Sequence, residues 1–176
     1  MALTAAGEVL GFSHQVVLPS LARDILRVGP EGLGVMSATR SAGGIIGMLV
    51  VGRLSQMGGL TTLFVGVLGV FGAGVAALGL APGYGSVLLL LLLINAVGAM
   101  ADVLGQSLMQ QTVPAALRGR ASGAWVVAIG VGPVGQFQIG ALVSWLGVAA
   151  ALGMSGGALV AIAICVRLLM ARARSL

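Results

Sequence analysis

The 176-residue chain is 59% hydrophobic and only 7% charged, with a mean hydropathy of +1.13. A water-facing domain carries about 25% charged residues, so this composition excludes a soluble fold, and with it soluble enzymes and nucleic-acid modules. The net charge is +5 and all nine basic residues are arginine, which fits arginines set at membrane edges rather than a nucleic-acid surface.

A transmembrane helix takes about 20 apolar residues. Six such segments follow along the chain, at about 2–22, 33–53, 61–81, 86–109, 121–145 and 147–171. They predict an all-α integral membrane protein, a single six-transmembrane-helix bundle filling residues 1–176. The runs do not alternate polar with apolar, as barrel strands do. The first segment carries Glu8 early and lacks both a basic n-region and a small-residue cleavage site before Arg23, so it reads as a mature helix and not as a signal peptide.

Glycine is abundant, at 30 residues, and small residues recur every four positions. Thr39, Gly43 and Gly47 form one such line in the second segment. Ala128, Gly132, Gln136, Gly140 and Ser144 form another in the fifth, and Ala149, Gly153, Gly157 and Ala161 a third in the sixth. Lines of this kind let helix backbones touch, which is the main attraction between helices in lipid. Ile46–Val50 and Ile139–Val143 echo one another at equivalent places of two three-helix repeats, the way many transporters are built.

Arginine placement orients the bundle. Arg53, Arg118, Arg120, Arg167, Arg172 and Arg174 fall on the side of both termini, whereas Arg23 and Arg27 fall on the other, offset by Asp24 and Glu31. The majority side is expected to be cytoplasmic, in a plasma (inner) membrane of bacterial type, with the lipid bilayer as the first partner.

Ionisable residues within a span are costly and tend to face a cavity or a partner. The segments hold Glu8, His14, Arg40 and Asp102. In the fourth, Asn95, Gly98/Ala99, Asp102, Gln106 and Gln110 fall at three- and four-residue steps and predict a polar stripe beside an aqueous path. Glu8 and Gln15 share a face of the first segment, with His14 pointing elsewhere. Ser37, Arg40, Ser41 and Gly44 cluster on the second. Together they predict a substrate or proton pathway of Asp102, Glu8, Arg40, Asn95, Gln106 and Gln15. The plainer reading is an Asp102–Arg40 or Glu8–Arg40 pair that only fixes packing, or Arg40 snorkelling outward.

No cofactor or metal set is visible, and the single Cys165 can form no internal disulfide. Gly130-x-Gly132-x-x-Gly135 matches a dinucleotide fingerprint but follows no strand. Gly153-Met154-Ser155-Gly156-Gly157 matches a nucleophile elbow and the rhomboid-protease serine motif. The only histidine precedes Ser155, the reverse of the rhomboid order, so this run reads as a packing face and the chain as no enzyme.

The run Gln111-Thr112-Val113-Pro114-Ala115-Ala116-Leu117-Arg118-Gly119-Arg120-Ala121-Ser122-Gly123 resembles the cytoplasmic link between helices 10 and 11 of major facilitator superfamily transporters. Leu18-Pro19-Ser20-Leu21-Ala22-Arg23-Asp24 resembles the end of helix 7. Gly29-Pro30-Glu31-Gly32-Leu33-Gly34 resembles the start of helix 8 in the efflux branch that includes the enterobactin exporter. Where the family often has G-x-L-x-D-R-x-G-R-R after helix 8, this chain has Gly52-Arg53-Leu54-Ser55-Gln56-Met57-Gly58-Gly59, with Gln56 at the acidic position.

The resemblance covers the chain as the C-terminal six-helix half of a twelve-helix transporter. It implies proton-coupled efflux of a small amphipathic solute, such as a drug or siderophore, by alternating access. Pro114, Arg118, Gly119 and Arg120 would form the cytoplasmic gate. The other partner would be an N-terminal six-helix half, in cis or in trans, or a second copy of the chain. The competing expectation is a partner-dependent membrane assembly protein that transports nothing.

Overall fold

With no water to bond their amides, long apolar runs satisfy the backbone only by bonding within themselves, and helix is what they form. The computed structural model describes residues 1–55 and 59–174; the chain is 91% helical, and no strand occurs among the described residues. Four helical stretches are long and apolar enough to cross a membrane: Gly29–Leu54, Leu60–Leu78, Tyr84–Thr112 and Arg118–Ala173. Gln56, Met57 and Gly58, part of the departure noted after the second segment, lie outside the described residues.

The sequence predicts six segments, and the difference lies at the two ends of the chain. The first segment is not one helix. It runs as α1 (Ala2–Ala6), a π-helical turn (Gly7–Gly11), α2 (His14–Ser20) and a second π-helical turn (Leu21–Ile25). The wide turns show in the bonds Phe12 N–H to Gly7 O, 3.0 Å, and Leu26 N–H to Leu21 O, 2.9 Å. Pro19 lies inside α2 and donates no amide hydrogen, which favours the widened turn after it.

Next come α3 (Gly29–Leu54), α4 (Leu60–Leu78) and α5 (Tyr84–Thr112), each longer or shifted by a few residues relative to the apolar run. A 3-10 turn (Ala115–Leu117) leads into α6 (Arg118–Gly130) and α7 (Gly132–Arg174). The predicted fifth segment is therefore interrupted at Val131, where Pro133 suits the first turn of a new helix and not the middle of an old one. The boundary expected between the fifth and sixth segments is present: α7 parts at Gly147, whose φ of 81° and ψ of 168° break the helix.

Helices α3 and α5 pack together, as do α4 and α5, α4 and α7, and the Gly7–Gly11 turn and α7. A Cβ at Gly43 or Gly47 would strike the Leu92 or Ala96 carbonyl of α5. The small-residue line predicted in the second segment is thus a true backbone contact. The lines predicted in the last two segments hold only in part: Ala128 is buried, Gly132 lies near Glu8 and the Ala149 backbone packs on Gly79. Gly140, Gly153 and Gly157 meet nothing within 4 Å. The contact line instead runs through Gly135, Ile139, Leu152, Ser155, Gly156 and Leu159, all buried. Gly156 lies against Gly72 and Ala76 of α4, so the Ser155 run is a packing face. A strict four-residue ladder drifts around a helix of 3.6 residues per turn, and the break at Gly147 resets the phase again.

The two ends of the bundle are distinct. At one, the Tyr84 hydroxyl donates to the Gly32 carbonyl (2.9 Å), and Pro19, Arg23, Gly29 and Pro30 border one cavity. At the other, Gly59 of the α4 start shares a cavity with Arg167, and Arg118 shares one with Gln110 at the α5 end. Arg118 and Arg167 thus lie at the end opposite Arg23. Arg23 donates to Asp24 at 2.8 Å on the exposed surface, a pair of small energetic weight.

Two glycines of α3 separate contact from freedom. Gly47→Val is expected to destabilise the α3–α5 contact by about 1–3 kcal/mol. Gly44→Ala, with nothing within 4 Å of the added carbon, should stabilise α3 by roughly 0.5–1 kcal/mol. Thermal unfolding in detergent reads both. Arg27 has a φ of 54°, a left-handed conformation that costs a side-chain-bearing residue about 1–2 kcal/mol. Arg27→Gly should therefore raise the midpoint in the same assay.

Candidate functional site

Glu8 stands in the Gly7–Gly11 turn, Gln15 in α2, Asp102 midway along α5, and Gln136 one turn into α7. With Phe12 and Gly132 they line a single polar cavity of about 190 Å³. Glycines make the convergence sterically feasible. A Cβ on Gly135 would strike the backbone of Val9, so only glycine lets α7 approach the turn that carries Glu8. A Cβ on Gly132 would lie 3.6 Å from Glu8 Oε2. Gly98 admits the Phe12 and Phe71 rings against α5, and those rings meet edge to face at 5.0 Å.

The cavity joins Asp102, Glu8 and Gln15 of the predicted pathway and leaves out Asn95, Gln106 and Arg40. Asn95 is buried and its amide donates to Leu91 O at 2.8 Å within its own helix. Gln106 and Gln110 are exposed, and Gly98 is covered by aromatic rings. The polar stripe expected on the fourth segment is therefore not one continuous path, and only Asp102 of its members lines this cavity. Sequence reasoning missed Phe12, Gly132 and Gln136 as lining residues. Gln136 carried a signal, an amide in an apolar run, that was absorbed into the packing line.

The electrostatics are one-sided. The charged group that shares the cavity with Glu8 is Asp102, also a carboxylate. Among the described residues the recorded ion pair is Arg23–Asp24, and neither cavity carboxylate pairs with Arg40. Arg40 is half-buried on α3 and its Nε–H has no partner. His14 is wholly buried. His14 Nδ1 lies 2.6 Å from the Gly11 carbonyl, to which it donates, leaving Nε2 bare. The ring also meets Phe71 edge-on at 6.4 Å. The packing pair anticipated between Arg40 and an acid does not form.

Of the gate residues, Pro114, Arg118, Gly119 and Arg120 are all exposed. Arg118 lines a polar cavity of about 490 Å³ with Ser107, Gln110, Gln111 and Ser122. Among the described residues no cluster of three His, Cys, Asp or Glu side chains could hold a metal ion.

No protein-family model, curated protein or solved structure matches the chain.

An arginine that serves no acid is a cost to the fold, because its desolvation is not repaid. Arg40→Met is expected to stabilise the protein by about 1 kcal/mol, measured as a raised unfolding midpoint in detergent. A lowered midpoint would show a protein anion on Arg40.

Proposed function

We propose that the chain is the C-terminal six-helix half of a secondary active transporter of the major facilitator type. On this reading it exports a small amphipathic solute, such as a drug or siderophore, against a proton gradient. It works with an N-terminal six-helix half, in cis or in trans, or with a second copy of itself. Both termini lie in the cytoplasm, and the membrane is the plasma (inner) membrane of a bacterium.

The observation that carries the reading is the Glu8–Asp102 cavity. Two carboxylates share about 190 Å³ with two glutamines and no ion-paired base. Charge held inside a membrane domain needs a counter-charge or a proton. In this site a proton, or a cationic group on the solute, supplies it. Competition between the two for one carboxylate pair is the simplest form of antiport: loading from one side displaces what was bound from the other.

The surrounding chain suits motion around such a site. The Gly7–Gly11 π-helical turn carries Glu8, and the break at Val131 adjoins Gly132, so both irregularities lie at the cavity. Local widening of a helix recurs at functional sites, and discontinuous helices place transporter sites near the membrane midplane. The Arg118–Arg120 link would close the cytoplasmic mouth in one state.

The test is energised extrusion of a fluorescent amphipathic cation by everted vesicles containing the chain, alone and together with an N-terminal six-helix half. Acidification of the vesicle lumen should drive dye uptake in the wild type. Asp102→Asn should abolish the gradient-driven part, and Glu8→Gln should slow it. Wild-type vesicles that move no dye in either arrangement would overturn transport. Transport that survives both substitutions would overturn the proton role alone.

A further inference from the structure

We propose that the groove bounded by α4, α5 and the last turns of α7 binds one anionic phospholipid, with its phosphate on Arg167 and an acyl chain along α4. Two adjoining cavities share Thr62 and Arg167. The larger, about 770 Å³, runs beside Leu63, Gly66 and Val70 of α4 to Met100 of α5 and is almost wholly apolar. The smaller, about 190 Å³, lies beside Ala171 near the end of α7 and has a larger polar share. A long apolar trough opening at a cation into a small polar recess is the outline of a lipid: chain, phosphate, headgroup.

Depth agrees with this outline. From Thr62 to Val70 α4 rises about 12 Å at 1.5 Å per residue, close to the thickness of one hydrocarbon leaflet, about 15 Å. An added carbon on Gly66 meets nothing within 4 Å, so this glycine gives the trough depth that no neighbour fills. The chain thus finds a place along the helix while its head stays level with Arg167.

Charge selects the headgroup. Arg167 is exposed and makes no ion pair among the described residues. The chain has four acidic residues. Glu8 and Asp102 line the cavity described above, and Asp24 and Glu31 belong to the opposite end of the bundle. Among the described residues no side-chain carboxylate is therefore at hand for Arg167, and α4 has no acidic residue in its first turn. A guanidinium fits a phosphate in fork geometry. A second copy of the chain is the poorer occupant, because its α4 and α7 contain no acid to offer. The inference needs only the membrane setting and is independent of transport.

Native mass spectrometry of the full chain in neutral detergent tests it, with phosphatidylglycerol and phosphatidylcholine of identical acyl chains as probes. One phosphatidylglycerol should bind in preference to phosphatidylcholine. Arg167→Gln should weaken that binding about fivefold, Arg167→Lys should restore most of it, and Arg53→Gln, at the same end but outside the groove, should leave it unchanged. Gly66→Phe, which fills the trough, should displace both lipids. Equal binding of the two lipids, an equal loss in Arg53→Gln, or full binding to Gly66→Phe would overturn the site. So would a dimer whose dissociation on Arg167→Gln accounts for the signal.

Discussion

Helix backbones touching at glycine are the contact on which the rest of this structure depends. Lipid tails are as apolar as the side chains they would replace, so helices here gain little by hiding leucine. What holds them is close packing, and close packing needs positions with no Cβ. Gly43 and Gly47 bring α3 onto the carbonyls of α5, Gly72 and Gly156 bring α4 onto α7, and Gly135 brings α7 onto Val9. The last of these contacts also sets the distance between Glu8 and the start of α7. The same steric rule therefore governs both the bundle and its polar cavity.

The cavity is lined on one side by an irregular first segment. A π-helical turn inserts one residue into the local repeat, which turns the side chains beyond it relative to those before. Glu8 lies within such a turn and Gln15 beyond it, yet both line one cavity. His14, next to Gln15, is driven into the packed interior against Phe71. The local cost of widened turns is met by neighbours that satisfy the polar groups: the Gly11 carbonyl, released by the distortion, accepts the His14 proton at 2.6 Å. Distortion, burial of the histidine and exposure of the carboxylate to the cavity belong to one local arrangement.

Legibility in the sequence followed the length scale of the physics. The helical class and the three central runs were readable because hydropathy averaged over 20 residues reports the solvent directly. The Gly43–Gly47 contact was readable because it lies in an unbroken helix. The boundary between the fifth and sixth segments, set at residue 146, was readable and falls at Gly147, whose φ is 81°; the break at Val131 was not, since Pro133 had to be weighed against an apolar run. Asp102 and Glu8 could be singled out as costly in lipid. That they share a cavity with each other was also expected from their faces; that Arg40 stays out of it was not.

The ionisable groups within the bundle are sorted by sign. The carboxylates Glu8 and Asp102 share one cavity with no base; Arg40 and His14 lie apart with unpartnered nitrogens; Arg167 stands at the bundle end, without an ion pair among the described residues. A protein under selection for stability alone would pair such groups or lose them, since pairing offsets part of the desolvation and replacement removes it. Separation keeps each sign available to something outside the chain. A carboxylate pair is suited to a proton or cation, and a surface guanidinium to a phosphate. The two sites therefore ask for opposite ligands from opposite surroundings, one from the polar interior and one from the lipid. Neither site needs the other to be filled, and that independence is what makes them separable by substitution.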